Sequence, residues 1–337
     1  MRRWYVWVPI SLGLLALLVW RTRPWDAAAL GANLDVGALG LALALNIVVV
    51  LAWAERSHSL MAAVGSPLGR ASLIPIVSFA NTVNNLTPAS SGEVLRAMIL
   101  RRRYAVPYSN AAAVILAERL WAIGIMLITA AAAAVGTIVG APPVVVAIAW
   151  IVAPAACFAP PIGYSLGFRP GRLASAYAEK GGDSPGKLRR LAQQLALVDE
   201  RLAVILTDRR RALHFVATTG LIFAVFTAQL WLVLEALDAP VQPVGVWAAY
   251  GLAICAGVVA ALPFGLGATD VVLVVLLGAQ GVDASTAAAA VLLLRIVATL
   301  PLGILGTASW IWLQRASDSP LAAESHDGAR RSEDASP

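Results

Sequence analysis

The feature that most constrains this chain is the recurrence of apolar runs close to twenty residues long. They lie at Trp4–Trp20, Val36–Ala54, Ala111–Val139, Val144–Leu166, Leu213–Leu237, Val244–Leu262 and Ser285–Leu313. A bilayer core of about 30 Å takes roughly 20 helical residues to cross. A membrane β-barrel would instead show alternating segments of about ten residues, and none occurs. Hydrophobic residues make up 59% of the chain and charged ones 13%, against a charged share of about 25% in soluble domains. The expected fold is therefore an all-α membrane protein with about eight hydrophobic helices.

Trp4–Trp20 follows Met1-Arg2-Arg3, which superficially fits a signal peptide. Arg21 and Arg23 lie before the small-residue stretch Ala27–Ala29, so an uncleaved first span is expected. Cys157 and Cys255 both sit inside apolar runs and read as packing residues. His58, His214 and His326 have no ligand spacing, so no metal or other cofactor is expected.

One long polar insert, Gly167–Ala212, carries ten basic and five acidic residues. Within it Leu188, Leu191, Leu195, Val198, Leu202 and Ile205 repeat at helical spacing and form one apolar stripe. Ser184 and Pro185 suit the start of that helix. The stripe could rest on the membrane or on the protein's own base, or Lys187–Leu206 could dock a partner synthase or glycosyltransferase. The basic balance, net +6, follows from positive-inside bias and does not call for nucleic acid. Residues 314–337 have the composition of a disordered cytoplasmic tail.

Charge also sets topology. With the N-terminus inside, a single crossing by Ala71–Thr87 would leave Arg101, Arg102, Arg103 and the basic insert outside. A re-entrant hairpin turning at Pro88–Gly92 returns them to the cytoplasm. Twenty of the 25 Lys and Arg are then cytoplasmic, with Arg96, Arg119 and Arg295 at membrane depth. The expected location is a bacterial cytoplasmic (inner) membrane, multi-pass, with both termini cytoplasmic.

The second half of the chain repeats the first. Pro88–Leu95, PASSGEVL, matches Pro263–Asp270, PFGLGATD, with proline and glycine in register. Val106–Arg119, VPYSNAAAVILAER, matches Val282–Arg295, VDASTAAAAVLLLR, without a gap. The second hairpin enters from the opposite face. A single membrane domain over 1–313 is thus expected to hold an inverted-topology repeat, in units of about 36–139 and 213–313 around the 167–212 insert. Broken helices at corresponding positions point to a transporter's central site. Pro88 and Pro263 interrupt the helices, and Gly92, Gly265 and Gly267 permit turning. Asn81, Asn84 and Asn85 either satisfy freed backbone groups or bind a polar substrate.

Charges at depth mark the candidate site: Glu93, Arg96, Glu118, Arg119, Asp270 and Arg295. Each charge at the bilayer centre costs roughly 2.5–3.5 kcal/mol even on forgiving scales. Glu118 is placed to neutralise Arg295, and Asp270 to neutralise Arg119. Two readings stand: internal ion pairs that hold the halves together, or an arginine pair for a lipid phosphate, which a planar guanidinium binds bidentately.

These residues carry a resemblance. Asn85-Leu86-Thr87-Pro88, Gly92-Glu93-Val94-Leu95-Arg96, Glu118-Arg119-Leu120, Leu262-Pro263 with Gly265, Gly267 and Asp270, and Arg295 resemble the lysylphosphatidylglycerol synthase transmembrane region, a flippase-like membrane family. The resemblance covers most of Val36–Leu313. It implies movement of a lipid with a phosphate head group between leaflets. Larger members move aminoacylated phosphatidylglycerol made by a fused soluble domain. These 337 residues hold no such domain, so lysine transfer is not expected. Two positions depart from the family pattern: Ala122, where members often carry an acid, and Asp270, where others carry Glu.

The expected function is a flippase-like transporter of an anionic phospholipid or lipid-linked amphiphile. The alternatives are a non-catalytic accessory partner of a membrane synthase and an enzyme acting on polyprenyl phosphate. No nucleophile–base set or paired carboxylates support the enzyme.

Overall fold

A computed structural model describes residues 4–27, 34–87, 91–170, 186–239, 241–260 and 267–317. All regular structure among them is helical. The elements are α1 (Trp4–Thr22), α2 (Val36–Ala63), α3 (Arg70–Leu86), α4 (Ser91–Tyr104), α5 (Tyr108–Leu116), α6 (Ala122–Thr137), α7 (Pro143–Cys157), α8 (Ala159–Ser165), α9 (Gly186–Thr207), α10 (Arg209–Ala236), α11 (Pro243–Ala260), α12 (Ala268–Gly278), α13 (Ala284–Leu294) and α14 (Leu300–Ser317). Short π-helical segments, Ala117–Trp121 and Arg295–Thr299, join α5 to α6 and α13 to α14.

The protein is an integral membrane protein by length and composition of these helices. Among the described residues, five helices are long and apolar enough to cross a membrane, or six if the α7–α8 pair, bent by 42°, forms one span. α12 is apolar but only eleven residues long. The apolar runs locate the spans, but polar caps set their ends. Asp35 accepts hydrogen bonds from Gly37 N at 2.8 Å and Ala38 N at 3.1 Å. Asp208 caps α10 through Arg210 N, and Asp283 caps α13 through Ser285 N and Thr286 N, all at 3.0 Å. Each carboxylate satisfies amides that the first helical turn leaves open.

Among the described residues the two larger apolar clusters each draw on both halves of the chain. Leu60, Met61, Leu73, Ile76, Leu100 and Val114 belong to the first. Leu230, Leu234, Val246, Leu273, Leu277 and Ala287 belong to the second. Alanine-rich α5 and α13 contribute Ala111, Ala113 and Ala287–Ala290 to these cores. Small residues let helices approach closely where lipid supplies no hydrophobic contrast. α2 packs along α10, α3 against both α4 and α14, and α11 against α6 and α12.

The amphipathic helix of the polar insert is real, as α9. Its stripe at Val198, Leu202, Ile205 and Leu206 packs into the first core, against α5 and α8. Asp199, 3% exposed, accepts a 2.6 Å hydrogen bond from Tyr164 Oη at the base of α8. The C-terminal part of Lys187–Leu206 is therefore occupied by the protein itself. Ser184 and Pro185 lie outside the described residues, as does the tail from Asp318. Residues 314–317 of the expected tail are helical, because α14 runs through them.

Candidate functional site

The site grows out of the two π-helical segments. A π turn inserts one residue into a helix and leaves backbone groups that need new partners, and such turns gather at functional sites. The first carries Glu118 and Arg119, and the second begins at Arg295. Val297 O, in the second, accepts a 2.6 Å hydrogen bond from Asn46 Nδ2 of α2, which also donates to Leu43 O. That contact ties α2 of the first half to the broken helix of the second.

Each π-segment arginine reaches back to a carboxylate in the first turn of an earlier helix, α4 or α12. Arg119 Nε donates to Glu93 Oε1 at 2.9 Å, across 26 residues. Arg295 donates to Asp270 Oδ1 from Nε at 3.2 Å and from Nη2 at 2.7 Å, across 25 residues. Glu93 is the third residue of α4, and Asp270 the third of α12. A carboxylate there also meets the positive end of its helix. These pairs correct the expected ones. Glu118 does not meet Arg295, and Asp270 does not meet Arg119, because each arginine folds back onto an earlier helix of its own half, α4 or α12.

Glu118 serves a different cluster. It is ion-paired to Arg96, which also donates from Nη2 to Glu118 Oε1 at 3.2 Å and to Ser57 Oγ at 3.0 Å. Ser57 Oγ donates to Glu118 Oε1 at 2.8 Å. Arg56 Nη2 lies 4.0 Å from Glu118 Oε2, and Arg56 Nη1 donates to Thr219 Oγ1 at 3.4 Å. Arg96 and Glu118 are almost wholly buried, at 3% and 6% exposure. A buried charge held by an opposite charge is tolerated where a lone one is not.

Two adjoining cavities open onto these groups. One, of about 220 Å³, is lined by Arg56, Glu93, Arg96, Glu118 and Arg119. The other, of about 290 Å³, is lined by Asn85, Arg119, Asp270 and Arg295. Trp53, Asn81, Arg119, Phe226, Tyr250 and Ile254 border both. The Arg119 side chain is 39% exposed, so its guanidinium has free faces despite the bond to Glu93. Aromatic and aliphatic walls with a few convergent polar groups are the usual make-up of a ligand site.

The sequence-derived site residues thus separate by role. Asn81, Asn85, Glu93, Arg96, Glu118, Arg119, Asp270 and Arg295 all face a cavity. Asn84 instead donates from Nδ2 to Glu93 Oε1 at 2.9 Å, orienting the carboxylate that Arg119 uses. Gly92 does not form a turn. It lies inside α4, where an added Cβ would stand 2.0 Å from Ala80 O, so it allows α3 and α4 to touch. Gly267 does have the left-handed backbone expected of a turn, with φ of 82°, and its N–H donates to Asp270 Oδ2 at 3.0 Å. Pro88, Pro263 and Gly265 lie outside the described residues.

Sequence reasoning missed Arg56, Ser57, Thr219 and Tyr250. Arg56 follows the end of an apolar run and was expected among the cytoplasmic charges. The helix continues to Ala63. The signal was the apolar spacing beyond it, where Leu60 and Met61 continue the buried face that includes Val49, Val50 and Ser57.

The family described as the lysylphosphatidylglycerol synthase TM region matches residues 6–306. The chain belongs to this family. The match spans α4, α12, both π segments and the seven charged residues that line the cavities among the described residues. Among curated proteins, none matches the chain. Family membership agrees with the resemblance carried by Gly92-Glu93, Glu118-Arg119-Leu120 and Arg295.

Proposed function

We propose that this protein moves an anionic phospholipid, or a lipid-linked amphiphile with a phosphate, between membrane leaflets. The observation that carries the reading is that Arg119 and Arg295, from opposite halves of the chain, line one cavity of about 290 Å³. A lipid phosphate crossing the bilayer interior needs charge-bearing donors there, and a guanidinium offers two parallel N–H groups to it. The matching carboxylate–arginine pairs on the two π segments support an inverted repeat, in which each half contributes one arm of the path. The process involves no covalent step. Positive-inside bias favours a bacterial cytoplasmic membrane with both termini on the cytoplasmic side.

The test is lipid translocation by the purified protein in vesicles, measured per folded molecule. Arg119→Lys and Arg295→Lys keep the charge and remove the bidentate fork. They are expected to fold and to translocate roughly tenfold or more slowly. Wild-type rates in both variants would overturn the phosphate path.

A further inference from the structure

Charge around the cavities does not balance. Among the described residues, Arg56, Arg96, Arg119 and Arg295 face Glu93, Glu118 and Asp270. Arg96 takes Glu118 and lies 3.7 Å from Glu93, Arg119 takes Glu93, and Arg295 takes Asp270. Arg56 is left 4.0 Å from Glu118 Oε2, an oxygen already engaged by Arg96, with one long bond to Thr219. Its side chain is 11% exposed, and its Nε is buried without a hydrogen-bond partner. An arginine keeps its charge in any environment a protein offers, and an unbalanced buried cation is expensive. The surplus is one positive charge, on the wall of the smaller cavity.

We infer that Arg56 is the specificity-determining residue of this site, and that it selects lipids whose head group carries a single net negative charge on a phosphodiester. This rests on the reading of the cavities as the lipid site. A phosphodiester monoanion entering beside Arg56 and Arg119 neutralises the surplus and supplies acceptors for the free face of Arg119. A zwitterionic head group leaves the net charge uncompensated. A cationic head group, such as an aminoacylated one, doubles it, and the carboxylates that could receive its ammonium are already held by Arg96, Arg119 and Arg295. Trp53, one turn before Arg56 on α2, walls both cavities and keeps the local dielectric low, where such a charge difference counts most.

Binding and transport can be separated. Equilibrium binding to the full chain in detergent is measured with dihexanoyl phosphatidylglycerol, dihexanoyl phosphatidylcholine and dihexanoyl lysylphosphatidylglycerol. The wild type is expected to prefer phosphatidylglycerol by about tenfold over either of the others, with the preference shrinking as salt rises. Arg56→Gln is expected to abolish the preference, and Arg56→Lys to retain most of it. Equal wild-type affinity for the three lipids overturns the inference even if Arg56→Gln fails to fold, and so does an undiminished preference in folded Arg56→Gln. Selective binding without translocation in vesicles would instead leave the inference standing and remove the transport reading.

Discussion

Arg295 grips a single oxygen of Asp270 through both Nε and Nη2, at 3.2 Å and 2.7 Å. Asp270 is 2% exposed, so the pair is nearly out of reach of solvent on the carboxylate side. Removing either charge takes away the counter-charge of the other. Asp270→Asn is expected to destabilise the protein by about 3–5 kcal/mol, and Asp270→Asn with Arg295→Met by distinctly less. Thermal unfolding in detergent measures both. A control cycle pairing Arg295→Met with Glu118→Gln should be additive, since those two residues belong to different clusters. Strong coupling in the control and none in the test would refute the pairing described here.

Glu118 holds the other cluster together. It accepts from Ser57 and Arg96 and faces Arg56. Glu118→Gln keeps the shape but leaves two buried guanidinium groups without their counter-charge. A loss of at least about 3 kcal/mol is expected, whereas Ser57→Ala, which removes a single hydroxyl, should cost about 1 kcal/mol. The ranking of the two unfolding midpoints checks the claim. A milder effect for Glu118→Gln than for Ser57→Ala would show that Glu118 is not the anchor.

Much of this was legible in the sequence, and the reasons are physical. Apolar length marks the spans because the bilayer imposes it, and a charge inside such a run is conspicuous because of its cost. Arg119 and Arg295 stood out for that reason, as did their equivalent positions after the matched alanine-rich segments. Their partners did not. Which carboxylate an arginine reaches depends on how far each hairpin arm folds back, and neither helix periodicity nor spacing encodes that. Arg56 was hidden by a boundary effect: a charge just beyond an apolar run looks like a flank when the helix in fact continues for two more turns. The π segments were equally hidden, since one inserted residue in an apolar helix leaves no compositional trace.

Gly92 offers a sharp steric test. A Cβ at this position would sit 2.0 Å from Ala80 O and 2.7 Å from Asn84 Oδ1. Backbone cannot move aside as a side chain can, so α3 and α4 would have to separate. Gly92→Ala is expected to lower stability by about 1–3 kcal/mol, and Gly92→Val by more. Gly303, whose Cβ would meet nothing within 4 Å, provides the comparison: Gly303→Ala should leave the unfolding temperature nearly unchanged. Equal tolerance at both positions would mean that α3 and α4 do not make this contact.

The α9 docking contact makes a local prediction. Tyr164 donates to buried Asp199, and its ring meets Trp121 edge-on at 6.3 Å. Tyr164→Phe preserves the ring and deletes the hydroxyl, leaving both Asp199 oxygens without it. The expected cost is about 1–3 kcal/mol. Because the loss falls at one helix surface, faster amide exchange should be concentrated in residues 195–207, with α11 and α12 unaffected. Uniform acceleration across the protein would contradict a local docking role.

Sidedness is decided by the two ends of α10. Arg210 and Asp238 flank a 28-residue helix, about 42 Å long at 1.5 Å per residue, ample for a bilayer core. Cysteines at these exposed positions, in a background lacking Cys157 and Cys255, should react with impermeant reagents from opposite sides. The basic run Arg209–Arg211 predicts cytoplasmic labelling at Arg210. Arg102 tests the hairpin. If α3 and α4 enter and leave by one face, a cysteine at Arg102 labels with Arg210, from the cytoplasm. If α3 crosses alone, Arg102 labels with Asp238 instead. Three positions and two reagents therefore separate a re-entrant hairpin from a simple crossing. Labelling of Arg102 from the outer side would overturn the hairpin and, with it, the inverted repeat.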